Sequence, residues 1–169
     1  GVAEQNMVGV ATGLGLGGRK EFTYSIANFS TLRCLEQIRN DAAYHEVNLT
    51  VVSSGGGFTY GALGMSHHAT EDIAIMRSLP GVTVVVPSTA WEAYHATRAI
   101  TREGGVGYLR IEKGGRKEPF DNKLFEIGKS ITSVEGNDLT IITAGGIHEE
   151  CLLASEVLKE KGIDARVIS

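Results

Sequence analysis

The sequence lacks the features that would direct it to a membrane or to nucleic acid. Each of its apolar runs falls short of the roughly 18–20 residues that a membrane-spanning helix needs. Acidic residues outnumber lysine and arginine, and the net charge of −4 leaves no basic face to displace counterions from phosphates. We therefore expect a chain with no membrane partner and no nucleic-acid partner.

Cysteine is also scarce, and the spacings that metal or nucleotide sites need are missing. Cys34 and Cys151 lie far apart without a CxxC or zinc pattern, so we predict two free thiols in a reducing cytoplasm. The histidines form no HExxH motif, and no metal ligand is assigned in this chain. Gly55-Gly56-Gly57 is not followed by GK[ST], and the glycines at 13–18 follow a predicted helix rather than a strand. We therefore predict neither a P-loop nor a dinucleotide-binding loop.

What the sequence does contain is an alternation of β-branched runs with stretches of helical periodicity. The periodicity predicts helices at residues 4–17, at 32–42, through Ile73 and Met76, and after a capping box at 89–92. Extended runs predict strands at residues 20–26, 48–53, 82–86 and 106–111. This alternation predicts an α/β fold, a parallel sheet with helices on both faces. Because residues 82–86 are almost all β-branched, we place them among the interior strands.

A break in composition divides the chain. Residues 114–119 interrupt the pattern, so we assign residues 1–115 to one domain, 116–136 to a linker and 137–169 to the incomplete start of a second domain. This last part contains a strand, a helix and a strand, and a single βαβ unit cannot bury both faces of a sheet alone. The first domain opens equally abruptly, with a helix at residue 4. We expect the chain to be a section of a longer protein that lacks the N-terminal part of the first domain.

A glutamate at the start of the first predicted helix is the main candidate for chemistry. By itself Glu4 is a carboxylate in a first helical turn, which is typical of a helix-dipole partner. However, Gly1-Val2-Ala3-Glu4-Gln5 is the first of several segments that resemble the transketolase family in order and spacing. The others lie at residues 26–29, 33–41, 61–68, 71–74, 77–87 and 107–110. Residues 1–115 resemble the family's pyrimidine-binding domain, and residues 138–168 resemble the start of its C-terminal domain.

The resemblance implies a thiamine-diphosphate enzyme in which Glu4 activates the cofactor. In this family a glutamic acid hydrogen-bonds N1′ of the aminopyrimidine, which allows the cofactor's own 4′-imino group to take the proton from C2. We expect Glu4 to lie in an apolar pocket that raises its pKa by desolvation. Phe29 is the candidate for stacking on the pyrimidine, with a core phenylalanine as the alternative. Ile26 stands where the family usually has a first stacking aromatic, and it joins the cofactor-binding group.

The resemblance also implies substrate-binding residues in the loop that follows and at the last strand. His67 matches the family histidine that assists proton movement on substrate oxygens, and an ordinary loop histidine is the alternative. His68 replaces a family glutamine, and Leu63 replaces a family aspartate. Arg110 and Lys113 occupy the region that binds a sugar phosphate in relatives. Solvated charges at a strand end are the alternative for both.

Apart from Ile26, the departures from the family pattern concern the sugar end of the site. Gly55 replaces a family histidine, and Ala62-Leu63 replace the acidic pair whose aspartate contacts a substrate hydroxyl. A leucine cannot accept a hydrogen bond from that hydroxyl. The resemblance therefore implies a less hydroxylated donor, or an unusual acceptor sugar, rather than a standard ketose phosphate.

One family motif is absent altogether. The family binds Mg²⁺ and the diphosphate through a G-D-G followed by an asparagine, and this sequence contains no G-D-G. The resemblance therefore implies a partner, a diphosphate-binding N-terminal section on another chain or another part of the protein. It also implies self-association into a dimer or a heterotetramer, because active sites in this family form between such sections.

Three functions stay open at this point. The first is a subunit of a transketolase-like transferase that moves a two-carbon unit to or from a sugar or sugar-like aldehyde. The second is a carboligase of the 2-oxoacid dehydrogenase beta type or the deoxyxylulose-synthase type, which the Q-I-R-N segment at 37–40 disfavours. The third is a scaffold subunit that assembles with an active partner and performs no chemistry.

Overall fold

The computed structural model describes residues 2–112 and 124–169, which form two sheets with their helices. The helices are α1 (Glu4–Leu16), α2 (Ala27–Thr31), α3 (Asp72–Arg77), α4 (Ala90–Glu103) and α5 (His148–Glu160). The strands are β1 (Glu21–Ile26), β2 (Leu49–Ser54), β3 (Val82–Val85), β4 (Val106–Ile111), β5 (Thr132–Val134), β6 (Leu139–Ile142) and β7 (Ala165–Ile168). A π-helical segment covers Gln37–Ala43, and 3-10 turns lie at Gly61–Leu63, Met65–His67 and Gly145–Ile147. Across the described ranges, every helix is too short or too polar to cross a membrane.

The first sheet confirms the predicted α/β fold. Its four strands are all parallel, in the order β1-β2-β4-β3, so their carboxyl ends meet at one edge. Side chains from α1, the π-helical segment and α3 pack on one face, around Val51 and Tyr108. Side chains from α4 pack on the other face, around Leu109. Such an edge, with helices on both sides of it, is where open parallel sheets usually hold their ligands.

The position predicted for residues 82–86 is wrong. In the described part of the chain, β3 pairs only with β4 and forms an edge of the sheet rather than an interior strand. Its valines nevertheless contact both cores, since Val82 and Val84 pack on one face and Val85 packs on the other. A β-branched run therefore reports that both faces of a strand are covered. It carries no information about how many strands lie beside it.

The second sheet contains the predicted βαβ unit and one strand that the sequence analysis missed. β6 and β7 are parallel and α5 connects them, as the pattern indicates. β5 adds to β7 in the antiparallel direction and lies inside the segment assigned as a linker. A three-residue strand is too short to show an alternating pattern, which explains the omission. The chain turns out of β5 at Gly136, where a Cβ atom would lie 2.3 Å from the carbonyl carbon of Ala165.

The predicted capping box at the start of α4 also joins the two parts of the chain. The backbone N–H of Glu92 donates to Thr89 Oγ1 at 3.1 Å, which confirms the predicted cap. The Glu92 carboxylate accepts from the backbone N–H of Ser88 at 2.8 Å, one residue before the usual capping-box partner. The same carboxylate accepts a hydrogen bond from Ser169 Oγ at 3.2 Å. The cap therefore holds Ser169, the residue after β7, against the start of α4.

Candidate active site

Glu4 lies at the carboxyl edge of the first sheet, held by groups from two other segments. It is the first residue of α1, and its side chain is 15% exposed. Oε1 accepts a hydrogen bond from Ser25 Oγ at 3.3 Å, near the end of β1. Oε2 accepts a hydrogen bond from Arg33 Nη1 at 2.6 Å, which is also an ion pair. The carboxyl group is therefore oriented by its surroundings and remains partly accessible.

The pKa of Glu4 is shifted in the direction opposite to the one expected from the sequence. Burial of the carboxyl acts to raise its pKa, as the apolar-pocket argument requires. The hydrogen bond with its own backbone N–H, the hydrogen bond and charge of Arg33, and the Ser25 hydroxyl together lower the pKa by more. Glu4 is thus held as a carboxylate. The expectation failed because sequence periodicity does not show that an arginine reaches the same pocket.

A chain of contacts through Arg33 links Glu4 to Phe29 and then to His67. The rings of Phe29 and His67 meet edge to face with centroids 5.0 Å apart. The guanidinium carbon of Arg33 lies 4.5 Å from the centroid of Phe29 while Arg33 pairs with Glu4. Ile26, the last residue of β1, is half-buried just before α2. The structure therefore brings Glu4, Phe29 and His67 together, with Arg33 between the first two.

The loop between β2 and α3 carries the predicted substrate residues. Its ends are tied by an isolated bridge between Gly57 and Ala69, whose backbone N–H groups donate to each other's carbonyls at 2.8 and 2.9 Å. Leu63 is 56% exposed within this loop. His68 Nε2 lies 3.2 Å from the carbonyl oxygen of Gly61, and the His68 carbonyl accepts from Asn28 at 2.6 Å. Leu63 thus faces outward, whereas His68 fastens the loop to itself and to α2.

A tyrosine fills the space that a side chain at position 55 would need. Gly55 has a φ of +75°, and a Cβ atom there would lie 2.4 Å from Cε2 of Tyr60. The Tyr60 ring also lies 6.4 Å from the His67 ring, centroid to centroid. Gly55 and Tyr60 are therefore linked, because the Tyr60 ring occupies the space that a side chain at position 55 would fill. Sequence reasoning noted the glycine and missed the tyrosine.

Arg110 is part of a buried ionic network rather than a solvated strand end. Its side chain is 12% exposed and contacts Asp72 Oδ1 at 3.3 Å and Glu112 Oε1 at 2.7 Å. Asp72 also accepts a hydrogen bond from Tyr108 Oη at 2.7 Å. Burial and the Asp72 charge raise the pKa of Tyr108, so the phenol keeps its proton. Lys113, the other predicted phosphate ligand, lies outside the described residues.

Arg33 is the second residue near the site that sequence reasoning missed. The sequence places it in a segment that resembles the family, without assigning it a contact. The sequence nevertheless indicates its contact with Phe29. Arg33 follows Phe29 by four residues, and side chains with that spacing meet on one face of a helical turn. A cation one turn after a predicted stacking ring is a reason to expect a cation–π contact.

Two further features limit the chemistry at this edge. Cys34 is buried behind Arg33, and burial together with the nearby Glu4 charge raises its pKa to about 11. The thiol is thus protonated and unreactive near neutral pH. Across residues 2–112 and 124–169, no group of three or more His, Cys, Asp and Glu side chains is arranged to hold a metal ion.

Comparison with known proteins gives family matches over both parts of the chain. The family model described as "Transketolase, pyrimidine binding domain" matches residues 1–115. The model described as "Transketolase, C-terminal domain" matches residues 128–169. A subunit of the apulose-4-phosphate transketolase of Phocaeicola vulgatus is 38% identical over 170 residues, which cover 99% of this chain and 54% of that protein.

Two more relatives have similar lengths of match. The 6-deoxy-6-sulfo-D-fructose transketolase subunit SqwH of Clostridium sp. strain MSTE9 is 36% identical over 170 residues, 100% of this chain and 53% of that protein. A solved structure described as a split gene transketolase, inactive beta4 tetramer, superimposes with a TM-score of 0.81 and 36% identity, over 98% of this chain and 54% of the other. The chain thus spans about half the length of these relatives.

Proposed function

Because this chain belongs to the transketolase family, we propose that it is the pyrimidine-binding section of a thiamine-diphosphate-dependent transferase. The observation that supports this proposal is the grouping of Glu4, Phe29 and His67 at the carboxyl edge of one parallel sheet. The reaction is the transfer of a two-carbon unit to or from a sugar or sugar-like aldehyde. Residues 1–115 form the pyrimidine-binding domain, and the start of the C-terminal domain includes β5, because β5 pairs with β7 and the C-terminal family model matches residues 128–169.

The groups around Glu4 fit the aminopyrimidine ring of thiamine diphosphate. The planar, cationic guanidinium of Arg33 already lies against Phe29 and pairs with Glu4. A flat ring with a hydrogen-bonding nitrogen therefore suits the same surroundings. The bound cofactor supplies the carbon nucleophile for carbon–carbon cleavage and formation. In this chain, Phe29 stacks on the ring and Glu4 holds a proton at N1′. His67 moves protons on the substrate oxygens.

The remaining half of the site is assigned to a partner section that binds Mg²⁺ and the diphosphate. The names of the relatives support this assignment, since one is a single subunit of its transketolase and another is a split gene transketolase. We place the assembly, a dimer or a heterotetramer, in the cytoplasm, where the two free thiols stay reduced. Neither the diphosphate nor the metal is assigned a ligand in this chain.

The isolated chain is expected to bind thiamine diphosphate with a dissociation constant on the order of millimolar or weaker. The reason is that the diphosphate and its metal find no assigned ligands here. Isothermal titration calorimetry with and without Mg²⁺ measures this affinity. Addition of the diphosphate-binding subunit is expected to tighten binding and to start turnover. Micromolar, Mg²⁺-dependent binding by the isolated chain contradicts the division of the site, and an inactive reconstituted complex contradicts the proposed function.

The sugar end of the site favours a substrate that lacks one of the usual hydroxyls. Leu63 is exposed at the position where the family resemblance implies an aspartate, and Tyr60 fills the space beside Gly55. A substrate hydroxyl that is buried without a partner costs roughly 1–3 kcal/mol. Two relatives are named for apulose 4-phosphate and for 6-deoxy-6-sulfo-D-fructose, which supports an uncommon sugar rather than a common ketose phosphate.

Leu63→Asp is expected to shift the preference of the assembled enzyme toward xylulose 5-phosphate. The added carboxylate accepts a hydrogen bond from the donor hydroxyl, which changes relative kcat/KM by about 5- to 100-fold. The measurement compares kcat/KM for xylulose 5-phosphate and for a donor without that hydroxyl, in both variants. Leu63→Asn is the matched control, because it adds a weaker acceptor without charge. If the native enzyme already prefers xylulose 5-phosphate by a wide margin, Leu63 does not determine the substrate specificity.

A further inference from the structure

Arg33 contacts both groups proposed to hold the pyrimidine ring. Its Nη1 atom lies 2.6 Å from Glu4 Oε2, and its guanidinium carbon lies 4.5 Å from the centroid of Phe29. Its side chain is 34% exposed, so one side of the guanidinium remains open to solvent. Arg33 therefore links the glutamate to the aromatic ring without being locked into the core.

The guanidinium of Arg33 and the aminopyrimidine of the cofactor share the properties that Glu4 and Phe29 recognise. A guanidinium is planar, donates hydrogen bonds in its plane and carries positive charge over its face. An aminopyrimidine stacked on Phe29 also presents a flat face to the ring and directs an in-plane nitrogen at the Glu4 carboxyl group. The guanidinium already lies over one face of Phe29 and against the Glu4 carboxylate, so a second planar group cannot make both contacts at the same time.

We propose that Arg33 is a positioning residue that occupies the place of the aminopyrimidine ring and is displaced when the ring binds. The inference rests on the proposed function, since it takes Glu4 and Phe29 as the groups that hold that ring. Until displacement, Arg33 pairs with the Glu4 carboxylate and covers one face of Phe29. Displacement then removes a positive charge from Glu4, which favours the protonated carboxyl group that the reaction needs.

The structure provides a place for the displaced side chain. An open groove beside Arg33 is lined by Gln5, Leu32, Leu35, Glu36, Arg39 and Asn40. Glu36 is exposed in this groove and offers a second carboxylate with which the guanidinium can pair. Rotation of Arg33 toward Glu36 thus exchanges one ion pair for another. The exchange disfavours binding of the ring alone.

The test uses thiamine, which carries the aminopyrimidine and lacks the diphosphate, with the chain as it stands. Arg33→Ala is expected to raise the affinity for thiamine about tenfold, because the ring no longer displaces an ion pair and a cation–π contact. NMR signals from the Glu4 carboxyl and the Phe29 ring report binding at this site. Arg39→Ala removes an exposed arginine from the same groove, one that bonds Asn40, and is expected to leave the affinity unchanged.

A second measurement asks whether the vacated place recognises the guanidinium itself. Methylguanidinium added to Arg33→Ala at millimolar concentration is expected to restore the native signals of Glu4 and Phe29, and thiamine is expected to compete with it. Methylammonium, which has the charge without the planar N–C–N group, is expected to do neither. A merely structural arginine predicts no competition between methylguanidinium and thiamine, so its absence overturns the inference.

The remaining outcomes separate this inference from the function on which it rests. Equal thiamine affinity in the native chain and in Arg33→Ala, with Glu4 and Phe29 signals shifting in both, overturns the inference and leaves the proposed function standing. Thiamine that shifts neither signal in any variant overturns the inference, and turnover of the assembled enzyme then decides the function separately. If Arg33→Ala does not fold, Arg33→Lys keeps the charge without the planar group. Unchanged thiamine affinity in that variant counts against the inference.

Discussion

Glu4→Gln is expected to lower kcat of the assembled enzyme at least about a hundredfold, which corresponds to ~2.7 kcal/mol of barrier. An amide cannot share a proton with N1′ of the pyrimidine, whereas a carboxyl group can. The fold is expected to change little, because the Arg33 ion pair is partly exposed, and such pairs contribute roughly 0–1 kcal/mol. Steady-state kinetics at saturating cofactor, together with urea unfolding of the same variant, separates the two effects.

Glu150→Gln is the matched control for this prediction. Glu150 is an exposed carboxylate in the first turn of α5, as Glu4 is in the first turn of α1, and it lies outside the proposed catalytic groups. The substitution makes the same chemical change without reaching the pyrimidine site, and turnover is expected to stay within about twofold of the native value. Native turnover in Glu4→Gln removes Glu4 from the mechanism. Equal losses in both variants indicate a general effect of charge rather than proton transfer.

Arg110→Met is expected to lower the free energy of unfolding by about 3–5 kcal/mol, because it leaves a buried charge without its partner. Asp72 has a side chain that is 1% exposed, and once Arg110 is removed its neighbour is the uncharged Tyr108 hydroxyl. Glu112 loses its ion pair at the same time. Urea denaturation of the native chain and the variant measures the difference. The expected loss is larger than that of any substitution proposed at the cofactor site.

Two variants test whether the buried network causes this loss. Arg98→Met removes an exposed arginine that bonds the Tyr94 hydroxyl on the same helix, and is expected to change stability by less than about 0.5 kcal/mol. Adding Asp72→Asn to Arg110→Met removes the uncompensated charge and is expected to restore part of the loss. If Arg110→Met leaves the unfolding free energy unchanged, Arg110 is available for substrate phosphate, as the family resemblance implies.

The sequence predicted the order of the elements better than it predicted what surrounds the site. Helical and β-branched periods placed α1, β2, β4 and the βαβ unit, since local patterns record which faces of an element are covered. The edge position of β3 depends on which strands pair with it, and the run of valines does not indicate that pairing. The grouping of Glu4 with Phe29 and His67 followed from the family resemblance, and the structure brings these side chains together.

The electrostatics of the site depended on contacts that no local pattern contains. The pKa of Glu4 was expected to rise, and it falls because the backbone N–H of Glu4 and the side chain of Arg33, 29 positions along the chain, both stabilise the carboxylate. Tyr60 fills the space at Gly55 because the loop folds back on itself, which the glycine alone does not reveal. Arg110 was assigned to substrate or solvent, and its carboxylate partner Asp72 lies 38 positions away. Each of these contacts is set by the three-dimensional path of the chain.

The bridge between Gly57 and Ala69 has a consequence for the thermodynamics of substrate binding. The two backbone hydrogen bonds tie the ends of the loop that carries Leu63 and His67, through contacts made within the chain itself. The conformational entropy of that loop is therefore lost during folding, before any encounter with substrate. A preordered loop adds little further entropy loss to association. For the proposed sugar substrates, differences in affinity then reflect the contacts that each sugar makes, rather than different degrees of loop closure.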